Sequence, residues 1–149
     1  AMLTLAAGRA IAVSEEHSER PGTATGWIGT PSAGGRYRWR SFAYATIPDF
    51  RPTAMALMPD GSYVVLERAF DFARGVRCRV MRFDAGQLVA GGTVQAEELA
   101  RLASPYAVDN LEGIASTRGP RGETLLWLIS DDNFNPLQRN ILLLFELTP

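Results

Sequence analysis

The 149-residue sequence contains no lysine, so all fifteen basic residues are arginines. It has one cysteine, Cys78, and one histidine, His17. A single cysteine excludes an intrachain disulfide and a cysteine-based zinc site. Cys78 alternates with Arg77 and Arg79, and we expect it to point into the core. Because no Gly-x-Ser-x-Gly motif occurs and His17 lies in a polar loop, the sequence gives no support for nucleophilic serine chemistry.

Long apolar runs and strong net charge are also lacking. No apolar run approaches the roughly 20 residues of a membrane span. The net charge of −1 gives no electrostatic reason to expect nucleic acid or an anionic membrane as a partner. The first five residues lack a basic region followed by a long apolar region, so this chain shows no signal peptide.

Short apolar segments with alternating polarity are frequent and predict an all-β protein. The predicted strands or apolar runs are residues 2–5, 10–13, 26–29, 36–44, 53–58, 63–66, 77–83, 88–94, 111–116, 124–129 and 141–147. Pro59, Asp60, Gly61 and Ser62 predict a tight turn. Residues 96–103 have apolar side chains at helical spacing and predict one short helix.

The strands fall into three similar units at residues 2–45, 53–95 and 110–147, within a single domain of residues 1–149. Each unit contains two apolar strands joined by a turn, with an acid at the end: Glu15, Glu67 and Asp131. These acids are 52 and then 64 residues apart, and an imperfect repeat of this kind is typical of β-propeller blades. The third unit ends after its third strand. We therefore predict a partial β-propeller of about three antiparallel blades, whose ring is completed by a second copy or by a missing N-terminal half.

The sequence of the third unit resembles that of the family called "esterase-like activity of phytase". The resemblance rests on residues 110–115 (NLEGIA), on residues 126–135 (LWLISDDNFN) and on Gln138. Residues 63–68 (YVVLER) and 13–16 (VSEE) are similar to upstream motifs of the same family. The resemblance implies a bacterial, usually exported, β-propeller protein, and hence a periplasmic or secreted location. It covers the family's C-terminal half, since the family's propeller is roughly twice as long.

Acids at strand ends of a propeller converge on a central channel, where they can surround a cation. The candidate metal ligands are Glu15, Glu67, Glu112 and Asp131, and further candidates are Glu16, Asn110, Asp132 and Asn133. Hard oxygen ligands favour Ca²⁺ first and Mg²⁺ second. The alternative is that these acids cap turns and pair with the abundant arginines.

The resemblance implies a phytase-like or esterase-like hydrolase, which would act by metal-assisted hydrolysis of a phosphate or carboxylic ester. The sequence identifies no catalytic residue. Arg36, Arg38 and Arg40 lie on one side of a predicted strand, where they either bind phosphate or form a solvated face. The alternative function is a non-catalytic binding or assembly module, whose acids are structural. A third reading is a piece of a longer protein without a function of its own.

Overall fold

The computed structural model describes residues 1–148 and is all-β. Its longer strands are rich in β-branched and aromatic residues, which pack well on a pleated surface. The strands are β1 (Met2–Thr4), β2 (Ala10–Val13), β3 (Thr23–Ser32), β4 (Arg36–Ala45), β5 (Arg51–Leu57), β6 (Tyr63–Asp71), β7 (Gly75–Phe83), β8 (Thr93–Val94), β9 (Glu97–Leu102), β10 (Leu111–Arg118), β11 (Thr124–Ser130) and β12 (Leu142–Leu147). Short 3-10 turns lie at Ala6–Gly8, Ala33–Gly35 and Ala85–Gln87.

The first sheet has the order β1-β2-β3-β4-β8, antiparallel except for the parallel pair of β4 with β8. Its inner face carries the buried side chains of Ile11, Phe42 and Tyr44. Gly26 lies opposite Phe42, and a Cβ on this glycine would come 2.3 Å from the phenyl ring. The absence of a side chain at Gly26 therefore lets Phe42 lie flat across β3.

The second sheet is antiparallel, with the order β5-β6-β7-β9. The turn between β5 and β6 is the one that the sequence predicts. Asp60 Oδ1 accepts a hydrogen bond from the Ser62 backbone nitrogen at 2.9 Å, and Gly61 has a φ of +88°. A positive φ is easy for glycine and strained for other residues, so Gly61 sets the tightness of this turn.

The third sheet consists of three antiparallel strands in the order β10-β11-β12, as the sequence predicts. One face buries Leu126 and Leu128 against the second sheet. The other face leaves Ile129, Leu142 and Leu144 half-exposed or more. Within residues 1–148 no strand pairs with the outer edge of β12.

The three sheets pack in succession around two hydrophobic cores. The first core joins Tyr44 of the first sheet to Val65 of the second, and the second core joins Val80 of the second sheet to Leu128 of the third. The first strands of the sheets are neighbours, since β5 contacts both β1 and β10. This arrangement confirms the all-β, partial-propeller class. Completion of a ring by a second copy or a missing half stays a prediction.

The predicted helix at residues 96–103 is wrong. Glu97–Leu102 forms β9, which pairs with β7 from Arg82 to Cys78. An isolated helix of this length is only marginally stable in water, whereas pairing with β7 satisfies backbone groups along a sheet edge. Glu98 also forms an ion pair with Arg79 of β7 at 3.3 Å, which links the two strands, and one with Arg101 of its own strand at 2.7 Å.

The strand predicted within residues 88–94 is confined to Thr93–Val94 and belongs to a different sheet. It pairs with Ala43 and Tyr44 of β4, so the fourth strand of the second sheet is β9. Cys78 is fully buried, as the alternation predicts. Burial raises the pKa of its thiol to about 12, so the thiol stays protonated near neutral pH. No helix in the described part of the chain is long and apolar enough to cross a membrane.

Candidate functional site

A polar cavity of about 300 Å³ lies where the ends of several strands meet. We call it the acidic cavity, and its charged lining residues are Glu15, Glu16, Asp49, Arg51 and Arg68. The two glutamates follow β2, Arg51 begins β5, and Arg68 lies near the end of β6. Polar side chains from the first two sheets therefore converge on one end of the fold.

Arg68 is the central cation of this site. Its Nη2 lies 3.1 Å from Glu112 Oε1 and 3.9 Å from Glu15 Oε1. Glu112 belongs to β10, so Arg68 links an acid of the third sheet to an acid that follows β2 of the first. The arginine thus brings together two of the predicted ligands, Glu15 and Glu112.

Glu112 is a half-buried carboxyl group whose proton affinity is altered by its surroundings. Burial raises the pKa of Glu112 above its ordinary value, and the negative charges of Glu15 and Asp131 raise it further. Arg68 and a hydrogen bond from Asn110 lower the same pKa, but the burial effect is the largest. A carboxyl group with a raised pKa next to a cation is suited to general acid–base chemistry.

Asn110 and Asp131 are tied together by hydrogen bonds. The Asp131 backbone nitrogen donates to the Asn110 carbonyl oxygen at 3.0 Å, and Asn110 Nδ2 donates to the Asp131 carbonyl oxygen at 3.1 Å. Asn110 is buried, whereas the Asp131 side chain is exposed. This contact holds the start of β10 against the end of β11 and brings Asp131 close enough to affect the pKa of Glu112.

Glu67 has a different environment from the other candidate ligands. It is 0% exposed. Tyr44 Oη donates to its Oε1 at 2.8 Å, and Arg79 Nε donates to its Oε2 at 3.0 Å, with Arg79 Nη2 also in contact. Burial, together with the Glu67 charge, raises the pKa of Tyr44 well above its usual range. These contacts make Glu67 part of a structural network.

The position of Glu67 follows from strand geometry. Successive residues of a strand point to opposite faces of a sheet, so Glu67 and Arg68 point to opposite sides of β6. Glu67 therefore joins Tyr44 between the first and second sheets, while Arg68 joins Glu112 of the third sheet.

The remaining candidate ligands make local contacts. Glu16 pairs weakly with Arg51 at 3.9 Å, with both side chains mostly exposed. Asp132 accepts hydrogen bonds from the Phe134 backbone at 3.0 Å and from Asn140 Nδ2 at 2.9 Å. Asn133 donates to Gln138 Oε1 at 3.3 Å. Asp132 and Asn133 therefore shape the loop between β11 and β12.

In the described part of the chain, no three side chains among Asp, Glu, His and Cys are grouped so that they would hold a metal ion. Arg68 already lies beside two of the predicted ligands, Glu15 and Glu112, and Glu67 is engaged elsewhere. The site as placed is an ion-pair cluster without a ready cage for a cation. Calcium binding, with Mg²⁺ as the second choice, stays a prediction.

Two charged residues at this end of the molecule are not among the candidate ligands predicted from the sequence. Arg68 follows Glu67, and the alternation of a strand was the one available signal that the two would serve different sites. Asp109 is buried and accepts hydrogen bonds from the backbone nitrogens of Asn110 at 2.9 Å and Arg139 at 3.0 Å. By contrast, Arg36, Arg38 and Arg40 are all exposed on the long β3–β4 hairpin, where they have no ion-pair partner among the described residues.

No curated protein and no solved structure matches this chain. A family model described as "Phytase-like: Esterase-like activity of phytase" matches residues 1–134. The match contains Glu15 and Glu112, which pair with Arg68, as well as Asp131 and most of the all-β fold. The chain therefore belongs to the phytase-like family, as its third-unit motif predicts.

Proposed function

We propose that the protein hydrolyses an ester and that Glu112, paired with Arg68 of the acidic cavity, acts as the general base. The observation that carries this proposal is the position of Glu112, half-buried, 3.1 Å from Arg68 and with a raised pKa. The family match supports an esterase-like hydrolase as the class of activity. The ester is a carboxylic ester or a phosphate ester, and the location is periplasmic or secreted in a bacterium.

The chemistry follows from the charges of the two groups. Glu112 Oε accepts a proton from a water molecule, whose oxygen attacks the carbonyl carbon or the phosphorus of the ester. Negative charge then develops on the ester oxygen, where the Arg68 guanidinium stabilises it. The protonated Glu112 returns its proton to the leaving alkoxide, so the carboxylate is regenerated. Catalysis requires the ionised form of Glu112 at the start.

A divalent cation would add Lewis-acid polarisation of the ester oxygen when bound. The residues that would hold it are Glu112 and Glu15, which both lie within 4 Å of Arg68 Nη2, and Asp131, whose charge acts on Glu112. Because Arg68 already supplies positive charge beside Glu112, the roles of Glu112 and Arg68 described above do not depend on a bound ion. Calcium dependence is thus a separate proposal with a separate test.

The test is steady-state hydrolysis of 4-nitrophenyl acetate, 4-nitrophenyl butyrate and 4-nitrophenyl phosphate, each with and without a chelator. We expect one ester class to be hydrolysed and the Glu112→Gln variant to lose that activity. Glu16→Gln is the matched control, since Glu16 lines the acidic cavity together with Arg68 but has a mostly exposed side chain and only a distant ion pair. Equal loss in both variants, or full activity in Glu112→Gln, would remove Glu112 from the mechanism.

A non-catalytic assembly module is the second candidate, and the exposed face of the third sheet favours it. Ile129, Leu142 and Leu144 lie together on this face because Ile129 pairs with Leu142 and Leu144 pairs with Trp127. A largely apolar cleft of about 270 Å³ also adjoins β12, lined by Leu126, Phe145 and residues of β9. In a propeller the next blade covers such a face, and a second copy of the chain is the proposed cover here.

The assembly candidate predicts a concentration-dependent dimer. Light scattering during size-exclusion chromatography should detect it, and Leu144→Glu should convert it to a monomer. Phe134→Glu is the control, because Phe134 is even more exposed than Leu144 but lies in a loop outside this face. A monomer at all concentrations excludes pairing of two copies, while a dimer that is inactive on all three esters favours assembly over hydrolysis.

A further inference from the structure

A second, larger cleft lies beside the acidic cavity. Its volume is about 750 Å³, within the range of small-molecule sites. Its apolar lining consists of Phe70, Phe72, Val76, Tyr106, Val108 and Leu137. Phe70 also lines the acidic cavity, so the two spaces are adjacent. We call this space the aromatic cleft.

Large apolar side chains in the aromatic cleft are unusually exposed. Phe70, Tyr106, Leu137 and Phe72 are 54%, 70%, 90% and 100% exposed. They come from three loops: the β6–β7 hairpin, the β9–β10 connection and the β11–β12 connection. Single exposed apolar residues are common, but a group of this kind around one concave space is typical of a binding site.

Hydrogen bonds hold the three loops in place. Asp71 Oδ1 accepts from the backbone nitrogens of Ala73 at 3.0 Å and Arg74 at 2.7 Å, which fixes the hairpin that carries Phe72. Asp109 Oδ2 accepts from the Arg139 backbone nitrogen at 3.0 Å, so it ties the second loop to the third. Asn135 Oδ1 accepts from the Leu137 backbone nitrogen at 3.0 Å. The cleft is therefore formed before any ligand binds.

Positive charge lies at the rim of the aromatic cleft. Arg74 is engaged by Asp71 at 2.8 Å and by Asp49 at 3.6 Å. The Arg139 side chain is 67% exposed, and its one ion-pair contact among the described residues is a distant one of 3.9 Å to Asp109. The Arg139 guanidinium can therefore donate to an incoming carboxylate, for which its planar fork is well suited.

We propose that the aromatic cleft binds the acid half of the ester, an aromatic or acyl group that ends in a carboxyl function. The apolar part lies against Phe72 and Leu137, and the free carboxylate at its far end, which is distinct from the ester carbonyl attacked beside Glu112, is held by Arg139. This inference rests on the proposed ester hydrolysis for the identity of the ligand as part of a substrate. Its binding step is independent of turnover, because it involves neither Glu112 nor Arg68.

The test uses 1-naphthoate, with neutral 1-naphthylmethanol as a second probe, titrated into the ¹⁵N-labelled protein. We expect saturable amide shifts at Val76 and Val108, two half-buried apolar residues of the cleft. Phe72→Ala and Leu137→Ala should each weaken both probes about tenfold, as expected for loss of a large apolar contact. Arg139→Gln should weaken 1-naphthoate by a similar factor and leave 1-naphthylmethanol unchanged.

Phe134→Ala is the matched control. Phe134 is fully exposed and lies in the same loop as Leu137, but it does not line the cleft. This variant should bind both probes as the wild type does. Equal weakening in Phe134→Ala, or the absence of saturable shifts at Val76 and Val108, overturns the proposal.

Further outcomes distinguish this proposal from contact with a lipid surface and from the proposed hydrolysis. If the protein binds phosphatidylglycerol vesicles, and Phe72→Ala and Phe134→Ala both abolish that binding, the exposed aromatics contact a lipid surface and the proposed cleft is wrong. If Glu112→Gln is inactive but binds 1-naphthoate normally, both proposals stand. Binding of 1-naphthoate by a protein that hydrolyses no ester supports the cleft and contradicts the hydrolase.

Discussion

Glu67 and Glu112 are acids of similar sequence context, but they differ in burial and in how fully their oxygens are hydrogen-bonded. Glu67 is enclosed between the first and second sheets, where Tyr44 and Arg79 satisfy its oxygens. Glu112 is half-exposed beside the acidic cavity, where Arg68 contacts one of its oxygens and two further acids repel its charge. A buried ion pair whose oxygens are all hydrogen-bonded has a structural role. A carboxyl group next to solvent and other negative charges can instead exchange a proton.

The largest expected effect comes from breaking the buried pair. Glu67→Gln removes the charge that compensates Arg79. We expect a loss of about 3 kcal/mol in the free energy of unfolding, near the lower end of the range for loss of one partner of a buried ion pair, because Glu98 also contacts Arg79. Urea unfolding followed by circular dichroism measures the loss. Glu97→Gln, which breaks an exposed pair of 3.7 Å with Arg82, should cost less than about 0.5 kcal/mol. Equal stability of the two variants would show that the Glu67 network is not structural.

Glu112→Gln should affect activity much more than stability, the reverse of the effect expected for Glu67→Gln. Glu112→Gln should lower kcat/KM by about 100-fold or more, because the general base is lost. Its free energy of unfolding should remain within about 1 kcal/mol of the wild type, since the pair with Arg68 is partly exposed. Ester hydrolysis and urea unfolding on the same preparation give both numbers. A variant that loses stability as Glu67→Gln does would contradict the distinction between the two acids.

A smaller effect is expected when the hydroxyl group of Tyr44 is removed. Tyr44→Phe deletes the donor that lies 2.8 Å from Glu67 Oε1 but leaves Arg79 in place. A hydrogen bond to a charged group contributes about 1.5 kcal/mol, so the loss should be about half of that for Glu67→Gln. Urea unfolding measures it, and activity should be unchanged. Tyr63→Phe is a suitable control, since Tyr63 is also buried in the first core.

Calcium should have the smallest effect on stability. The sequence predicts that Ca²⁺ binds at Glu112 and Asp131, and any ion that binds only the folded state raises Tm. A rise in Tm with Ca²⁺ that is absent in Glu112→Ala and in Asp131→Ala would place an ion at these acids. If Tm does not change with Ca²⁺, the cluster around Arg68 holds no ion, and the predicted cofactor is wrong.

Much of the fold could be predicted because its signals are local. Alternation along the strands, the turn at Gly61 and the burial of Cys78 are each determined by a few neighbouring residues. The strand at Glu97–Leu102 was mistaken for a helix because its partner, β7, is remote in sequence and the local helical pattern gives no sign of it. Thr93–Val94 was assigned to the wrong sheet for the same reason.

The candidate site was predictable only in part. The sequence identified Glu15, Glu112 and Asp131, whose charges do act on one another in the structure. It placed Glu67 in the same group because the repeat aligns it with Glu15, but one position along β6 decides which sheet a side chain meets. Arg68 has its central role for the same reason, since its side chain points to the face of β6 opposite to that of Glu67. The residues of the aromatic cleft come from three separate loops, so no single stretch of sequence reveals it.

The most direct test of Glu112 as the general base is the acid limb of the pH profile of kcat/KM. Activity should rise with pH as Glu112 ionises. Glu15→Gln removes a negative charge that raises the pKa of Glu112, so the limb should move to lower pH. Arg68→Gln removes a positive charge that lowers the same pKa, so the limb should move to higher pH, whatever happens to the maximum rate. Shifts in these opposite directions are the predicted result, and a limb that stays in place in both variants would contradict the account.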